Sequence, residues 1–241
     1  MGCLTTQRMS DLIKEIPSLQ KALSVIDEAI RRYCILAESD ELTTEPLIDL
    51  DRILVAFNGG KDCTVLLHLV CMVLTSFLRT TGTLRLLHIC DPPEESFPEV
   101  LEFVEKTKKH YSLECIEVTG GTMRVALEKV VRDHTEVKAI LMGTRSGDPN
   151  AGWMDYFCHT SGGWPLMDLV VPLLHMNYHE IWTIVAELNI DYCGMYRRGY
   201  TSIGQRSNTV PNPFLISPLL HAKDLKDEAQ ERAGRIKVVH K

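Results

Sequence analysis

The sequence predicts an α/β fold: a doubly wound, mostly parallel sheet with an N-terminal helical extension and an irregular C-terminal region. Three observations predict it. Short apolar runs alternate with helical patterns between residues 53 and 142, and such alternation implies parallel strands covered by helices on both faces. Residues 9–37 keep apolar side chains at three- and four-residue spacing. Residues 143–165 hold Gly143, Gly147, Gly152, Gly162 and Gly163 and show no period.

In the N-terminal part, Leu19, Ala22, Leu23, Val25, Ile26, Ala29, Ile30 and Tyr33 mark a helix, and Pro17 separates it from a shorter one. The acidic stretch 38–51, which contains Pro46, reads as a linker. Residues 53–57 form an apolar, partly β-branched strand that ends at Asn58-Gly59-Gly60, and a helix is expected over 62–80. A strand follows at 85–89, and Pro98 starts a helix at its first position. Residues 113–118 alternate as a strand, 123–133 as a helix and 138–142 as a further strand. Beyond 143, residues 169–174 are strand-like. Asn177, with Glu180 three residues on, caps a helix to about Leu188. Residues 192–216 read as irregular, and the charged tail from Lys223 as helical at first. The domain reading is a helical extension over 1–48 and a single domain over 49–241.

The 241 residues suffice to bury a core without staples. A net charge of −6 argues against a phosphate-backbone partner, so no nucleic acid is expected. None of the eight cysteines has Cys-x-x-Cys spacing, and several lie in apolar runs, which points to a reduced, cytoplasmic protein. Residues 1–10 lack an apolar core, so no secretory signal is expected, and the run 64–78 is too short to span a membrane. The chain is expected to work as a monomer. Met1-Gly2-Cys3-Leu4-Thr5-Thr6 fits the N-myristoylation pattern at Gly2, with Cys3 open to palmitoylation; an unmodified N-terminus is the plainer reading.

The chemistry centres on Asn58-Gly59-Gly60-Lys61-Asp62-Cys63, between the strand 53–57 and the next helix. Gly59 and Gly60 accept positive φ and leave no Cβ in a ligand's way. Strand, glycine turn and helix together aim backbone N–H groups and the positive helix end at a phosphate, and Lys61 adds a full charge there. The spacing is neither the Walker loop nor the dinucleotide fingerprint. Gly143-Thr144-Arg145-Ser146-Gly147-Asp148-Pro149 follows another strand and sets opposite charges at the same sheet edge, where an ordinary turn would equally account for it. The stretch 196–204 gathers two cations, two phenols and two hydroxyls; by itself it reads as a solvated loop, as does the basic run 231–237. His175 and His179 read as structural, because Asn177 starts a helix between them, and His68 reads as a core histidine.

The glycine loop resembles the PP-loop of the ATP pyrophosphatase and PAPS reductase-like superfamily. With the 143–149 block, Gly163-Trp164-Pro165, Pro172-Leu173-Leu174-His175, the 196–204 block, Asn212-Pro213 and Glu231-Arg232-Ala233-Gly234-Arg235, the chain over about residues 50–241 resembles the eukaryotic FAD synthase family. The resemblance implies an adenine nucleotide alpha hydrolase-like, Rossmann-like fold and FMN adenylyltransferase activity, in which ATP and FMN give FAD and pyrophosphate. It implies a nucleotide site of Phe57, Asn58, Gly59, Gly60, Lys61, Asp62, Cys63 and Asp91, with Mg²⁺ at Asp62. It implies a flavin site of Gly143, Thr144, Arg145, Asp148, Pro149, Trp164, Tyr196 and Arg198. Asn58, Asp148, Arg232 and Arg235 would be catalytic. In the family pattern an acidic residue lies three before the tryptophan and an arginine five after it; here those positions are Ser161 and Leu169. The rivals are a sulfonucleotide reductase, which needs a redox-active C-terminal cysteine, another PP-loop ATP pyrophosphatase such as a tRNA-thiolating enzyme, and a non-catalytic nucleotide-binding module.

Overall fold

Strand β1 (Ile53–Ala56) lies at the centre of the sheet because its first three residues are buried on both faces. The alternation of its side chains splits the core in two. Ile53 and Val55 join the cluster under α2 (Pro17–Cys34), α3 (Lys61–Leu74) and α6 (Tyr178–Glu187). Leu54 joins Leu87, Ile116 and Ile140 under α5 (Met123–Asp133) on the other face. The computed structural model describes residues 6–36, 46–92, 94–149, 151–160, 162–215 and 221–236. The lipidation pattern at Gly2 and Cys3, and Ser161, lie outside them.

Parallel partners flank β1: β2 (Arg85–Cys90) on one side and β4 (Ala139–Leu141) on the other. Beyond β2 comes β3 (Glu114–Thr119), and beyond β4 comes β6 (Asp168–Val170), both parallel. An edge strand, β5 (Phe157–His159), pairs antiparallel with β6. The order is therefore β3-β2-β1-β4-β6-β5. The chain leaves β1 in one direction and returns to its other side at β4. That reversal opens a crevice beyond the carboxyl ends of β1 and β4, where such sheets bind ligands.

The N-terminal helices are not an appendage to this core. After α1 (Thr6–Glu15), α2 lays Leu19, Ala22, Val25, Ile26, Ala29 and Ile30, all without exposure, into the same cluster as Val65, Leu66 and Ile181. One core thus crosses the boundary expected at residue 48. α4 (Pro98–Tyr111) starts at its proline and ends at Ser112 in the left-handed conformation. Asn177 and Glu180 form the expected capping box of α6. No helix among the described residues is long and apolar enough to cross a membrane.

The structure corrects several boundaries. α3 stops at Leu74, short of 80, because Thr75 and Ser76 turn their hydroxyls back onto the Met72 and Val73 carbonyls and draw off the last turn. Part of the expected linker is ordered: Ile48–Asp49 pairs with Thr80–Thr81. β5 was hidden in the glycine-rich stretch because three residues on a sheet edge carry too little period to read. Leu173 and Leu174 turn away after β6 instead of prolonging it, since Leu174 N–H already bonds Val171 O and Met176 N–H bonds Leu173 O. Among its described residues the tail is not a helix past Lys223. There, only the short 3-10 turns Ala222–Asp224 and Glu228–Gln230 form, and Arg235 pairs with Thr209 as an isolated bridge.

Candidate functional site

The loop after β1 takes its shape from Asn58, whose side-chain oxygen accepts the Gly60 N–H at 3.0 Å. Positive φ falls on Gly59 (+76°) and not on Gly60, whose φ is −69°. This corrects the expectation for Gly60. The freedom is needed one residue earlier, where Gly59 turns its back to Val100 and Val104 on α4. Gly60 starts α3 with no capping side chain, and the Lys61 N–H donates to the Tyr196 hydroxyl at 2.8 Å. Cys63 faces the cavity floor, and burial pushes its thiol up to about 12, so it is no ready nucleophile.

A cavity of about 370 Å³ fills the crevice. It is lined by Phe57, Asn58, Gly60, Lys61, Asp62, Cys63 and Asp91, and from the β4 side by Gly143, Thr144 and Asp148. Tyr196 and Arg232 close it. A second, more apolar cavity of about 470 Å³ adjoins it, lined by Pro149, Trp153, Trp164 and Leu169. Met123, Met142 and Thr144 line both cavities, so the two form one cleft with a charged end and an aromatic end.

A buried ring of four charges sits at the charged end. The Lys61 ammonium donates to Asp62 at 2.9 Å and to Glu231. Arg145 meets Asp62 at 2.8 Å through Nε, in an ion pair without hydrogen-bond alignment, and donates to Glu231 at 2.5 Å through Nη2. Burial alone would raise the Asp62 carboxyl, but the Lys61 and Arg145 charges outweigh it and hold the group below the usual carboxylate range. Its stabilising contribution is therefore present above about 3.9, the unfolded value, and is lost as pH falls through the lower folded one. The same carboxylates raise Arg145 against the effect of its own burial. Asp148 accepts the Arg145 N–H at 2.9 Å and lies 3.6 Å from Arg232.

Tertiary contacts bring the tail here. Asn212, 2% exposed, donates to Thr201 Oγ1 and to the Gln230 carbonyl, both at 2.7 Å, and the Thr201 hydroxyl donates to the Glu231 carbonyl. Val210 N–H bonds the Gly234 carbonyl. The run 231–237, a solvated end on its own composition, is thus folded back across the cleft as far as it is described. Arg232 and Arg235 do not share a helical face. Arg232 lines the cavity, whereas Arg235 donates to the Ile203 carbonyl at 2.9 Å and packs under Gly204. Arg198 is not brought in either: it is exposed, paired with Glu99 on α4, and lines neither cavity. Gly59 and Arg145 lie behind the lining. Glu231 had no assigned role in the sequence, and its only signal was a place beside two arginines. His88 was also missed; its Nδ1–H donates to the Phe57 carbonyl at 2.8 Å and fixes the strand end.

Gly143 shows how closely β4 approaches α3. A Cβ there would lie 2.8 Å from the Cys63 backbone nitrogen and 3.0 Å from the Asp62 carbonyl carbon. These are backbone atoms and cannot swing aside. Gly143→Ala gains roughly 0.4–1 kcal/mol from a stiffer unfolded chain but incurs about 1–3 kcal/mol of overpacking. The melting temperature should fall by a few degrees and MgATP affinity with it; a variant as stable as the parent would deny the close approach.

The phosphoadenosine phosphosulfate reductase domain family matches residues 52–130 and 121–211. A probable FAD synthase of Schizosaccharomyces pombe is 37% identical over 191 residues, 77% of this chain and 72% of that protein. The chain belongs to the FAD synthase family. A second member, a probable FAD synthase of Caenorhabditis elegans, is 32% identical over 92% of this chain, and the chain spans 41% of that protein's length. Among solved structures, Candida glabrata FMN adenylyltransferase in complex with FAD and inorganic pyrophosphate superposes with a TM-score of 0.79 at 26% identity, over 92% of this chain and 88% of that one. Leu169, where the resemblance implies an arginine, is buried in β6 and lines the apolar cavity of this FAD synthase family member.

Proposed function

We propose that the protein is an FMN adenylyltransferase that transfers AMP from ATP to FMN, giving FAD and pyrophosphate. The observation that carries this reading is the single cleft with a phosphate loop at one end and a tryptophan-lined apolar cavity at the other. Such a cleft suits two substrates that meet through their phosphates and differ in their rings. The FAD synthase relatives and the C. glabrata complex with FAD and pyrophosphate support it.

In the proposed reaction an FMN phosphate oxygen attacks the ATP α-phosphorus, and the bond to the β-phosphate oxygen breaks. The attacking oxygen is already anionic, so no general base is required. Catalysis is then positioning and charge neutralisation. Asn58 and Gly60 shape the loop for the phosphates, and Lys61 carries a charge that Glu231 and Asp62 share until phosphate arrives. Thr144 stands where the two cavities meet, and Asp148 lines the charged one. Trp164, on the rim of the apolar end, offers a ring face to the isoalloxazine. A monomer and a cytoplasmic site of action are part of the proposal.

Mg²⁺ is part of the reading as a companion of the ATP phosphates. Asp62 does not fit as its direct ligand, because one carboxylate oxygen meets Lys61 and the other Arg145. No group of three or more metal-binding side chains occurs among the described residues. The sulfonucleotide reductase alternative finds no support at Cys193, which is fully buried with its sulfur against the Glu99 carbonyl.

Incubating the protein with MgATP and FMN and resolving the products by chromatography tests the reading; FAD is expected, and its absence with folded protein sinks it. Trp164→Ala should raise the KM for FMN by up to about tenfold, the worth of one aromatic stack, and leave ATP affinity unchanged. A rise in ATP Kd alone would reassign the apolar cavity to the nucleotide.

A further inference from the structure

A third cavity, of about 620 Å³, lies among α3, α4 and α6 and shares no lining residue with the cleft. Its walls are aromatic. Trp182 on α6 lies 5.3 Å from both the Tyr192 and the His221 rings, edge to face. His68 on α3, which the sequence marked as a core histidine, is only half-buried here and bonds the Tyr111 hydroxyl at 2.7 Å. His110 completes this side.

The charge of the lining opposes that of the protein. Lys106, Arg197 and Lys223 stand around the cavity, with Asp191 the one carboxylate of the lining, and Asp191 pairs with Lys106. Arg197 and Lys223 face no other acid in the lining, in a chain of net charge −6. The Tyr192 hydroxyl is shared between the Arg197 guanidinium, at 3.3 Å, and the His221 ring, at 2.8 Å. The histidines register the same positive surplus. Besides burial, His110 lowers His68; Lys223 and Arg197 lower His221, and Asp224, outside the lining, offsets them in part. The volume lies within the ordinary range of small-molecule sites, about 300–1,000 Å³.

The geometry points to a second ligand site in this cavity, for a planar aromatic ring that carries a phosphate and is of mononucleotide size. The ring would lie along Tyr192, with the nearly buried Trp182 packed behind it, and the phosphate would point toward Arg197, Lys223 and His221. This site is separate from the proposed catalytic cleft and does not depend on the reaction assigned there. Flavin phosphates and adenine nucleotides share the required chemistry, and titration tells them apart.

The test is calorimetric titration of the full chain with FMN and, separately, with AMP, in the parent and in R197E/K223E. Both substituted residues are exposed, so the variant should match the parent's melting temperature and its turnover at saturating substrate. At least one probe should show a binding event that the double charge reversal weakens about tenfold or more, as expected for two rim charges. Which probe shows it names the ring. A second event beside an insensitive one places both ligands; a lone event that is sensitive supports this cavity and counts against the cleft. If every event is indifferent to R197E/K223E, or neither probe binds, the inference is overturned.

Discussion

Arg232→Ala should cut FAD formation by about 10²–10³ while the melting temperature stays within a degree or two of the parent. The side chain lines the charged cavity and is 39% exposed, and it lies 3.6 Å from Asp148. A half-exposed pair at that distance adds little to stability, about 0–1 kcal/mol. A positioned donor to charge that grows on the departing pyrophosphate is worth about 2.7–4 kcal/mol in the transition state. The two readouts therefore separate a catalytic arginine from a structural one. Arg232→Lys should rescue only in part, because an ammonium cannot hold two oxygens in a planar fork. Steady-state kinetics with FMN varied at saturating MgATP measures it, and parent-like kcat in Arg232→Ala would remove this residue from the mechanism. Arg235→Ala should behave differently. Its guanidinium holds the Ile203 carbonyl, so the variant should lose about 1 kcal/mol of stability.

Glu231→Ala carries the largest expected loss of stability. Lys61 is 2% exposed and Arg145 scarcely more, and Glu231 bonds both. Without it, two buried cations share Asp62 alone. Removing one partner of a buried pair costs about 3–5 kcal/mol. Here Asp62 remains and water can enter from the cleft, so about 2–3 kcal/mol is the better figure, or roughly 4–12 °C in melting temperature for a chain of this size. The same change frees both cations for an incoming anion. Pyrophosphate should therefore raise the melting temperature of Glu231→Ala more than that of the parent. A variant that melts with the parent, with an equal response to pyrophosphate, would show that the four-charge ring is not held as described.

What was legible in the sequence has a local cause. The loop 58–63 could be placed because a strand, two glycines and a helix N-terminus adjoin in the chain, and backbone geometry at that scale depends on a few residues. The same holds for the capping box at Asn177 and Glu180, and for Pro98 at the start of α4. Where local cues were weak the reading slipped. The three residues of β5 showed no period, and positive φ fell on Gly59 because the fold turns that residue toward Val100 and Val104.

The sequence by itself determined the alternating sheet, the glycine turn between β1 and α3 and the acidic overall balance, since each follows from neighbouring residues or from composition. Only the tertiary structure decided the partners of the charges. Glu231 reaches Lys61 across 170 positions and Arg145 across 86, separations over which no period or spacing survives. The same packing drew Arg232 into the cleft, left Arg235 under the 202–204 loop and sent Arg198 to Glu99 on the surface. Three arginines of one chemistry thus have three different surroundings, because a side chain's electrostatic role depends on which distant backbone and carboxylates the fold sets within a few ångströms of it.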